Sequence, residues 1–196
     1  MFIVFEGPDS SGKTTLAKAL ANHVGGEYQS GIVAPLAGLR EEADALSPMD
    51  RFCFYRTCNA LKGARLLADQ GSHIVLDRYI YSTAAYHQLL LGDDLTGYVA
   101  EFLGDSKYRS PDLVVYVTAE PAIRRSRALS DGTANLWLDV SMDSRLEESY
   151  SSVMAAAATP VVLVDTTFRD ADSSSQWLMS ELERRGLPLI SSGGAR

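Results

Sequence analysis

The stretch that decides the fold is GPDSSGKT, from Gly7 to Thr14. It fits the pattern G-x-x-x-x-G-K-[ST], directly after a strand-like run, Phe2–Phe5, and before a helix-forming run that begins at Thr15. In such a loop the backbone N–H groups turn inward around phosphate oxygens, and the N-terminus of the next helix adds a favourable dipole. The sequence therefore predicts a phosphate-binding loop (P-loop) that holds a nucleoside triphosphate.

Two side chains of this loop have predictable tasks. We expect Lys13 to reach the β- and γ-phosphates of ATP, and the Thr14 hydroxyl to ligate Mg²⁺. The motif indicates nucleotide binding strongly, but by itself it leaves open what is done with the nucleotide. The complete predicted ATP-binding set is Gly7, Ser10, Ser11, Gly12, Lys13, Thr14 and Thr15.

Strand-like and helical segments alternate along the rest of the chain. Short runs rich in β-branched residues lie at Ile74–Leu76, Leu113–Val117 and Val161–Val164, with a further short strand near Ile32–Val33. Helical patterns occupy 14–23, about 50–70, 82–91, 96–103, 121–129, 144–158 and 173–185. This alternation predicts an α/β fold in three layers, a mostly five-stranded parallel sheet with helices on both faces.

Composition narrows the class of protein. A net charge of -7 gives no electrostatic footprint for duplex nucleic acid or an anionic membrane. No apolar run approaches the roughly 20 residues that a bilayer requires, and the N-terminus lacks the features of a signal peptide. Cys53 and Cys58 have no Cys/His cluster around them and are interpreted as buried free thiols. We therefore expect a cytoplasmic protein that binds neither nucleic acid nor membrane.

The domain organisation is predicted to be simple. We expect one domain over residues 1–190 and a frayed tail at 191–196. A flexible lid is placed at about 124–140, because the polar stretch after residue 129 is rich in helix breakers. One or two of Arg124, Arg125 and Arg127 are expected to reach the transferring phosphates. Arg125 and Arg127 lie on different faces of the helix, and Arg125 is the candidate catalytic residue, although the sequence leaves open which of the lid arginines acts. Guanidinium groups suit this task because charge spreads over the equatorial oxygens during phosphoryl transfer.

A carboxylate and an arginine follow the strand at Ile74–Leu76. Asp77 and Arg78 lie at its carboxyl end, where open parallel sheets bind their ligands. We expect Asp77 to support the Mg²⁺ shell and Arg78 to clamp the phosphate of an acceptor. In isolation such a pair is more often a helix cap or a surface ion pair. A P-loop on a neighbouring strand favours the functional interpretation.

Taken together, these motifs resemble those of the thymidylate kinases. The opening FEGPD-x-x-GKTT at 5–15 is similar to that family's first motif, and DRY at 77–79 with Ser82, Thr83, Ala85 and Tyr86 resembles its D-R-Y-x-x-S-S-x-A-Y-Q segment. The sequence PDL at 111–113 resembles the family's P-D-L strand entry, so the resemblance runs from about residue 2 to 130. It implies a P-loop kinase that forms a homodimer. It also implies Mg²⁺-dependent transfer of a phosphoryl group from ATP to a nucleoside monophosphate, dTMP or a related pyrimidine nucleotide.

The resemblance further implies roles on the acceptor side. Asp9 would contact the acceptor's sugar hydroxyl or the reacting phosphates, and would count with Lys13 and Arg78 as catalytic. Tyr86 would lie under the sugar. Phe52 would stack on the base and Arg56 would contact it, roles that suit an aromatic ring and a guanidinium. The alternative that Phe52 and Tyr86 only pack in the core stays open.

The acceptor side also departs from the family pattern. The T-R-E-P-G-G loop after the second strand is missing, and Arg40 is the candidate substitute for its arginine. Ser10 stands where glycine is usual, and His87 replaces the usual glutamine. These departures leave open a thymidylate-kinase-like enzyme that phosphorylates a modified nucleotide, a nucleoside or another small metabolite.

Three other classes are disfavoured. The chain has no N-K-x-D-like element with which a GTPase reads guanine, and an ATP-dependent motor would normally need more chain. A binding module without catalysis is disfavoured because Lys13, Thr14, Asp77 and Arg78 are all present.

Overall fold

One parallel sheet forms the centre of the molecule. The computed structural model describes residues 1–69, 71–132, 140–156 and 159–187. Within these ranges five strands pair in the order β2-β3-β1-β4-β5, and all neighbours are parallel. The strands are β1 Phe2–Glu6, β2 Glu27–Ser30, β3 Ile74–Asp77, β4 Leu113–Thr118 and β5 Val161–Asp165. The predicted fold class is confirmed.

Helices cover both faces of this sheet. Alternate side chains of β1 divide between two cores: Phe2 and Val4 join one, and Ile3 and Phe5 join the other. Residues of α4, α5, α6 and α8 complete the first core, and residues of α1 and α9 complete the second. The described helices are α1 Lys13–His23, α2 Ala34–Ala37, α3 Arg40–Asp44, α4 Pro48–Ala68, α5 Ile80–Leu91, α6 Thr96–Gly104, α7 Pro121–Ser130, α8 Val140–Ala156 and α9 Ala171–Arg184.

Local features of the sequence explain strand β1 and the start of helix α4. Strand β1 is buried along its whole length because it is central and covered on both faces, which is why its sequence is almost continuously apolar. Helix α4 begins at Pro48, whose missing N–H is no loss in the first turn. Ser47 caps it, and its Oγ accepts a hydrogen bond from the Asp50 N–H at 3.3 Å.

The prediction of a strand near Ile32–Val33 was wrong. The second strand is β2 at Glu27–Ser30, and the short helices α2 and α3 follow where no element was predicted. Strand β2 is at the edge of the sheet and its side chains are half-buried or exposed, so its sequence, EYQS, lacks the apolar run that marks a buried strand.

The interpretation of both cysteines as buried thiols was wrong for one of them. Cys53 and Cys58 are both free, but Cys53 is exposed and Cys58 is buried. Both lie on α4, and five residues separate side chains by about 140° around a helix, so the two thiols lie on different faces.

Part of the predicted lid and the predicted tail lie outside the described residues, namely 133–139 and 191–196. The first part of the lid, from Arg124 to Ser130, is the C-terminal part of α7. Over the ranges that are described, none of the helices combines the length and apolar character needed to cross a bilayer.

Candidate active site

The P-loop connects β1 to α1 and is shaped by left-handed backbone conformations. Gly7, Ser10 and Gly12 have φ values of 137°, 59° and 92°. A Cβ added to Gly7 would lie 2.0 Å from the carbonyl oxygen of Val117, so only glycine fits there. The loop therefore packs directly against β4, and α1 starts at its end with Lys13.

Lys13 carries a buried ammonium group. Its side chain is 5% exposed, and its Nζ donates a hydrogen bond to the carbonyl oxygen of Pro8. Burial and the neighbouring charge of Arg78 lower the pKa of Lys13 to about 7, although Asp9 and Asp77 act in the opposite direction. This lysine is thus held in the loop at a cost that a bound polyphosphate would relieve.

Thr14 and Asp77 meet across the first turn of α1 and the end of β3. The Thr14 hydroxyl donates to Asp77 Oδ2, and the Tyr28 hydroxyl donates to the same oxygen at 3.2 Å. The other oxygen, Asp77 Oδ1, is buried without a hydrogen-bond partner. An unsatisfied carboxylate oxygen beside a hydroxyl is a donor set that suits Mg²⁺. Tyr28 was missed by sequence reasoning, because nothing in an edge strand marks it as a neighbour of Asp77.

Arg78 and Asp9 form an ion pair at the mouth of the P-loop. Arg78 has a φ of 72°, and its N–H donates to the Phe5 carbonyl oxygen at 2.9 Å, which fixes it beside β1. The Tyr86 hydroxyl donates to Asp9 Oδ2 at 3.0 Å. Burial raises the pKa of Asp9, but Arg78, Lys13 and Tyr86 together bring it down to about 2, so Asp9 is a carboxylate at neutral pH.

Behind Arg78 lies a buried network that the sequence did not predict. Arg78 Nη1 donates to Ser82 Oγ at 2.9 Å and to the Tyr150 hydroxyl at 3.3 Å. Ser82 donates in turn to Glu6, whose other oxygen accepts from the Tyr79 N–H at 2.8 Å. Burial raises the pKa of Glu6 against the opposing effect of Ser82 and Arg78.

Tyr150 ties this network to the P-loop. Its hydroxyl donates to the carbonyl oxygen of Gly7 at 3.0 Å, across 143 residues of sequence. A contact of this range leaves no local signal in the sequence. Glu6 did leave one, a polar residue at the end of an otherwise apolar strand, but that signal was not used.

The P-loop, Asp77, Arg78 and Tyr86 border one cleft of about 1390 Å³. The predicted residues that line it are Asp9, Ser10, Gly12, Lys13, Thr14, Thr15, Arg40, Asp77, Arg78 and Tyr86. Gly7 and Ser11, also in the loop, are not among the lining residues, and the buried Ser11 Oγ has no hydrogen-bond partner.

Arg40 lies on α3, lines the cleft and pairs with Asp44 at 3.5 Å. Its charge is one of those that lower the pKa of Asp9. This position is compatible with the role of substitute that the sequence suggested for Arg40.

Phe52 and Arg56 are the predicted acceptor residues that the structure does not bring to the cleft. Phe52 is 8% exposed and packs between His87 and Tyr98, with ring centroids 5.3 and 5.2 Å away. Arg56 is exposed, and its guanidinium lies over the Tyr98 ring at 5.8 Å. The face of α4 that lines the cleft carries Arg51 and Tyr55 instead.

The lid arginines are also distributed differently from the prediction. Arg127 lines the cleft and donates to Thr166 Oγ1 at 2.9 Å and to the Ser10 carbonyl oxygen at 3.4 Å. Arg125 is not among the lining residues that the structure describes, and its Nε donates to Pro121 within the same helix. Residues two apart in sequence lie about 200° apart around a helix, so only one of these two arginines can face the P-loop.

Comparison with known proteins identifies the family of this chain. A thymidylate kinase from Leptospira borgpetersenii serovar Hardjo-bovis (strain L550) is 32% identical over 147 residues, 65% of this chain and 67% of that protein. The chain belongs to the thymidylate kinase family. A probable thymidylate kinase from Methanococcus vannielii is 34% identical over 137 residues, 63% of this chain and 64% of that protein. The matches thus span about two thirds of these family members.

The family assignment agrees with two further comparisons. Residues 2–140 match the family model described as an AAA domain. The solved structure of deoxyadenosine kinase from M. mycoides with bound dATP has a TM-score of 0.70 and 18% identity, covering 93% of this chain and 100% of that one. A thymidylate kinase structure from Candida albicans has a TM-score of 0.65 and 17% identity, covering 94% and 92%. At such identities these structures establish the fold.

Proposed function

We propose that this protein transfers the terminal phosphoryl group of ATP to a nucleoside monophosphate, dTMP or a related pyrimidine nucleotide, and produces the diphosphate. The observation that carries the proposal is the single cleft in which Lys13 of the P-loop lies next to Arg78 and Asp9. A triphosphate on the loop and an acceptor phosphate on Arg78 would then share this cleft. Membership in the thymidylate kinase family supports the same reaction.

The reaction proposed is a direct in-line transfer without a covalent enzyme intermediate. Lys13 neutralises the transferring phosphate, and Arg78 exchanges part of its bonding from Asp9 to the incoming acceptor phosphate. Asp9, kept ionised by its neighbours, is then free to accept a hydrogen bond from the sugar. Catalysis comes from positioning and charge neutralisation rather than from proton transfer by the protein.

Thr14 and Asp77 would hold the Mg²⁺ that accompanies ATP. Their fit rests on the unsatisfied Asp77 Oδ1 and on the Tyr28 bond that occupies Oδ2. Among the described residues there is no group of three or more His, Cys, Asp or Glu that could hold a metal, so most ligands would come from phosphate and water. When bound, the ion would neutralise negative charge on the phosphates of ATP.

We also propose that the lid, about 124–140, closes over ATP and excludes water, since an open site would hydrolyse it. Arg127 already borders the P-loop, and a role for Arg125 at the transferring phosphates requires that α7 turn or bend on closure.

A second candidate is a kinase of the same family that uses another small acceptor, such as a modified nucleotide, a nucleoside or a different metabolite. The observation that favours it is the acceptor wall, where α2 and α3 stand in place of the family's T-R-E-P-G-G loop. Phe52 and Arg56, which the family pattern assigns to the base, also lie outside the cleft.

A panel of acceptors decides between these candidates. ADP release is measured with ATP and Mg²⁺ for the common nucleoside monophosphates and their parent nucleosides. Turnover that is fastest with dTMP or another pyrimidine monophosphate is the expected result. Turnover only with nucleosides would replace the first candidate by the second. No acceptor-dependent ADP release at all would overturn the first candidate and limit the second to acceptors outside the panel.

The assembly and location of the protein are further parts of the proposal. We propose a homodimer, in keeping with several exposed apolar side chains around α4, and a cytoplasmic location. These side chains are Leu46, Met49 and Leu61. Light scattering after size-exclusion chromatography tests the dimer, and imaging of a tagged chain tests the location.

A further inference from the structure

Tyr28 belongs to the edge strand β2, and its side chain reaches the carboxylate of Asp77. Strand β2 pairs in parallel with β3, with Tyr28 opposite Val75 and Ser30 opposite Asp77. Because alternate residues of a strand share a face, Tyr28, Val75 and Asp77 project from the same side of the sheet. Val75 belongs to the core on the α1 side, and Tyr28 packs against that core. The register of the two strands therefore places the Tyr28 hydroxyl beside Asp77, where it donates to Oδ2 at 3.2 Å.

Helix α1 contacts the same two side chains. Thr14 and Lys18 are one helical turn apart and lie on the same face of α1. The Thr14 hydroxyl donates to Asp77 Oδ2, and Lys18 Nζ lies 5.3 Å from the centroid of the Tyr28 ring, within the range of a cation–π contact. The Tyr28 side chain is thus held at both ends, by Lys18 at the ring and by Asp77 at the hydroxyl.

The carboxylate of Asp77 needs a donor that fixes its rotation. The last torsion of an aspartate is broad and roughly two-fold, so its two oxygens can exchange places unless donors distinguish them. In the described part of the chain both bonded hydroxyls, those of Thr14 and Tyr28, act on Oδ2, and Oδ1 has no hydrogen-bond partner. The Thr14 oxygen is also expected to ligate Mg²⁺. Tyr28 has no such second task, so its hydroxyl is free to hold the carboxylate whether or not the ion is bound.

We propose that Tyr28 is a positioning residue for the metal: its hydroxyl holds Oδ2 of Asp77 and so keeps Oδ1 available to the hydrated Mg²⁺ of ATP. The inference rests on the proposed function, in which Thr14 and Asp77 hold that ion. Tyr28 acts through Asp77 and is not itself a ligand. Loss of a hydrogen bond to a metal-binding side chain commonly lowers metal affinity ten- to a hundredfold, and the length of this bond favours the lower end, about tenfold.

Equilibrium binding of ATP tests the inference without turnover. The dissociation constant is measured by calorimetry in EDTA and in excess Mg²⁺, and the ratio of the two values is the gain in affinity that Mg²⁺ gives. The unaltered protein is expected to bind ATP more tightly with Mg²⁺. Tyr28→Phe removes only the hydroxyl and keeps the ring under Lys18. This variant is expected to lose about tenfold of the gain. Its affinity for ATP in EDTA should change by no more than about twofold.

Tyr81→Phe is the matched control. The Tyr81 hydroxyl donates to Thr159 at 2.9 Å, and Tyr81 is not among the residues that line the cleft. The same chemical change is thus made at a tyrosine on the far side of α5 from the P-loop contacts. Its gain from Mg²⁺ is expected to equal that of the unaltered protein.

A double-mutant cycle shows whether Tyr28 acts through Asp77. Asp77→Asn is expected to reduce the gain from Mg²⁺ at least as much as Tyr28→Phe does. When Asp77→Asn is already present, adding Tyr28→Phe should change the gain by less than about twofold, because the two residues act as one unit. A merely structural role of Tyr28 in β2 or the P-loop would instead lower ATP affinity in EDTA as well, and by the same factor in both backgrounds. Circular dichroism on heating shows whether each variant is folded.

Three outcomes overturn the inference: an unchanged gain in Tyr28→Phe, an equal loss of ATP affinity in EDTA and in Mg²⁺, or an undiminished effect of Tyr28→Phe when Asp77→Asn is present. If the unaltered protein gains nothing from Mg²⁺, the assignment of Thr14 and Asp77 to the ion fails and the inference falls with it. If the protein gains from Mg²⁺ but releases no ADP with any acceptor, the proposed reaction fails, and the binding ratios still decide the inference.

Discussion

At the scale of single residues, Arg78 shows how the candidate site is held in readiness. Its φ of 72° is a conformation that costs a non-glycine residue free energy, of the order of 1 kcal/mol. The conformation persists because the backbone N–H bonds to Phe5 and the side chain bonds to Asp9, Ser82 and Tyr150. The surroundings therefore fix the guanidinium before any acceptor arrives.

Arg78→Ala tests this clamp. We expect the KM for the acceptor to rise about 10- to 100-fold, because a charge-assisted pair of hydrogen bonds to phosphate is lost. The KM for ATP is expected to stay within about threefold, since the P-loop is intact. Steady-state kinetics with each substrate varied in turn measures both constants, and equal loss for the two substrates would count against the clamp.

Lys13→Ala tests the other half of the site. Phosphoryl transfer is expected to fall by about 10²–10³-fold, because removal of one preorganised charge at the transition state has effects of this size. The fold should be unaffected, since the buried ammonium opposes folding rather than supporting it. Turnover and far-UV circular dichroism check the two statements, and full activity in the variant would refute the role of Lys13.

At the scale of elements, the end of β2 sets the position of the end of β3. Gly31 follows β2, and its N–H donates to the Asp77 carbonyl oxygen at 2.9 Å. A Cβ added there would lie 2.2 Å from the Arg78 carbonyl oxygen. A glycine after an edge strand therefore permits the close approach that places Asp77 and Arg78.

Gly31→Ala is expected to displace Arg78 and to reduce kcat/KM for the acceptor about tenfold or more, since misplacement by about 1 Å costs catalysis heavily. Gly38→Ala is the matched control, because a Cβ there meets nothing within 4 Å and the residue is already helical. The control should leave activity unchanged and raise stability slightly, by about 0.5 kcal/mol. Kinetics and thermal unfolding of the two variants make the comparison, and indistinguishable variants would contradict it.

At the scale of the whole molecule, the site reduces the stability of the fold. Glu6 is fully buried and its pKa is raised by that burial, while the pKa of Lys13 is lowered to about 7. Each group is less easily charged in the folded protein than in the unfolded chain. The burial of these groups thus lowers the stability of the fold, and it positions the ammonium group of Lys13 where a phosphate can bind.

The pH dependence of unfolding measures this loss. The pKa of Lys13 is about 7 in the folded protein, against 10.5 for an ordinary lysine in the unfolded chain. Between these two pH values the unfolded chain therefore binds more protons than the folded protein. The free energy of unfolding should therefore rise with pH above 7, by at most about 1.4 kcal/mol per unit, for the unaltered protein relative to Lys13→Met. Urea titrations without nucleotide at pH 6.5, 7.5 and 8.5 test this. A difference between the two proteins that does not change with pH would contradict it.

The sequence by itself determined the parallel α/β fold, the P-loop and the place of Asp77 and Arg78 at the end of a buried strand. These are local features, because a glycine pattern, an apolar run and a helical periodicity each act within a few residues. The same motifs gave the resemblance to the thymidylate kinases, which the comparison with known proteins confirmed.

Only the tertiary structure decided which side chains meet in the cleft. Tyr28 reaches Asp77 from an edge strand without apolar signal, and Tyr150 on α8 reaches Gly7 across 143 residues of sequence. The choice of Arg51 over Arg56, and of Arg127 over Arg125, depends on how α4 and α7 are rotated about their own axes. That rotation is set by the packing of neighbouring helices, a sum of many contacts between residues distant in sequence, and no motif of a few residues encodes it.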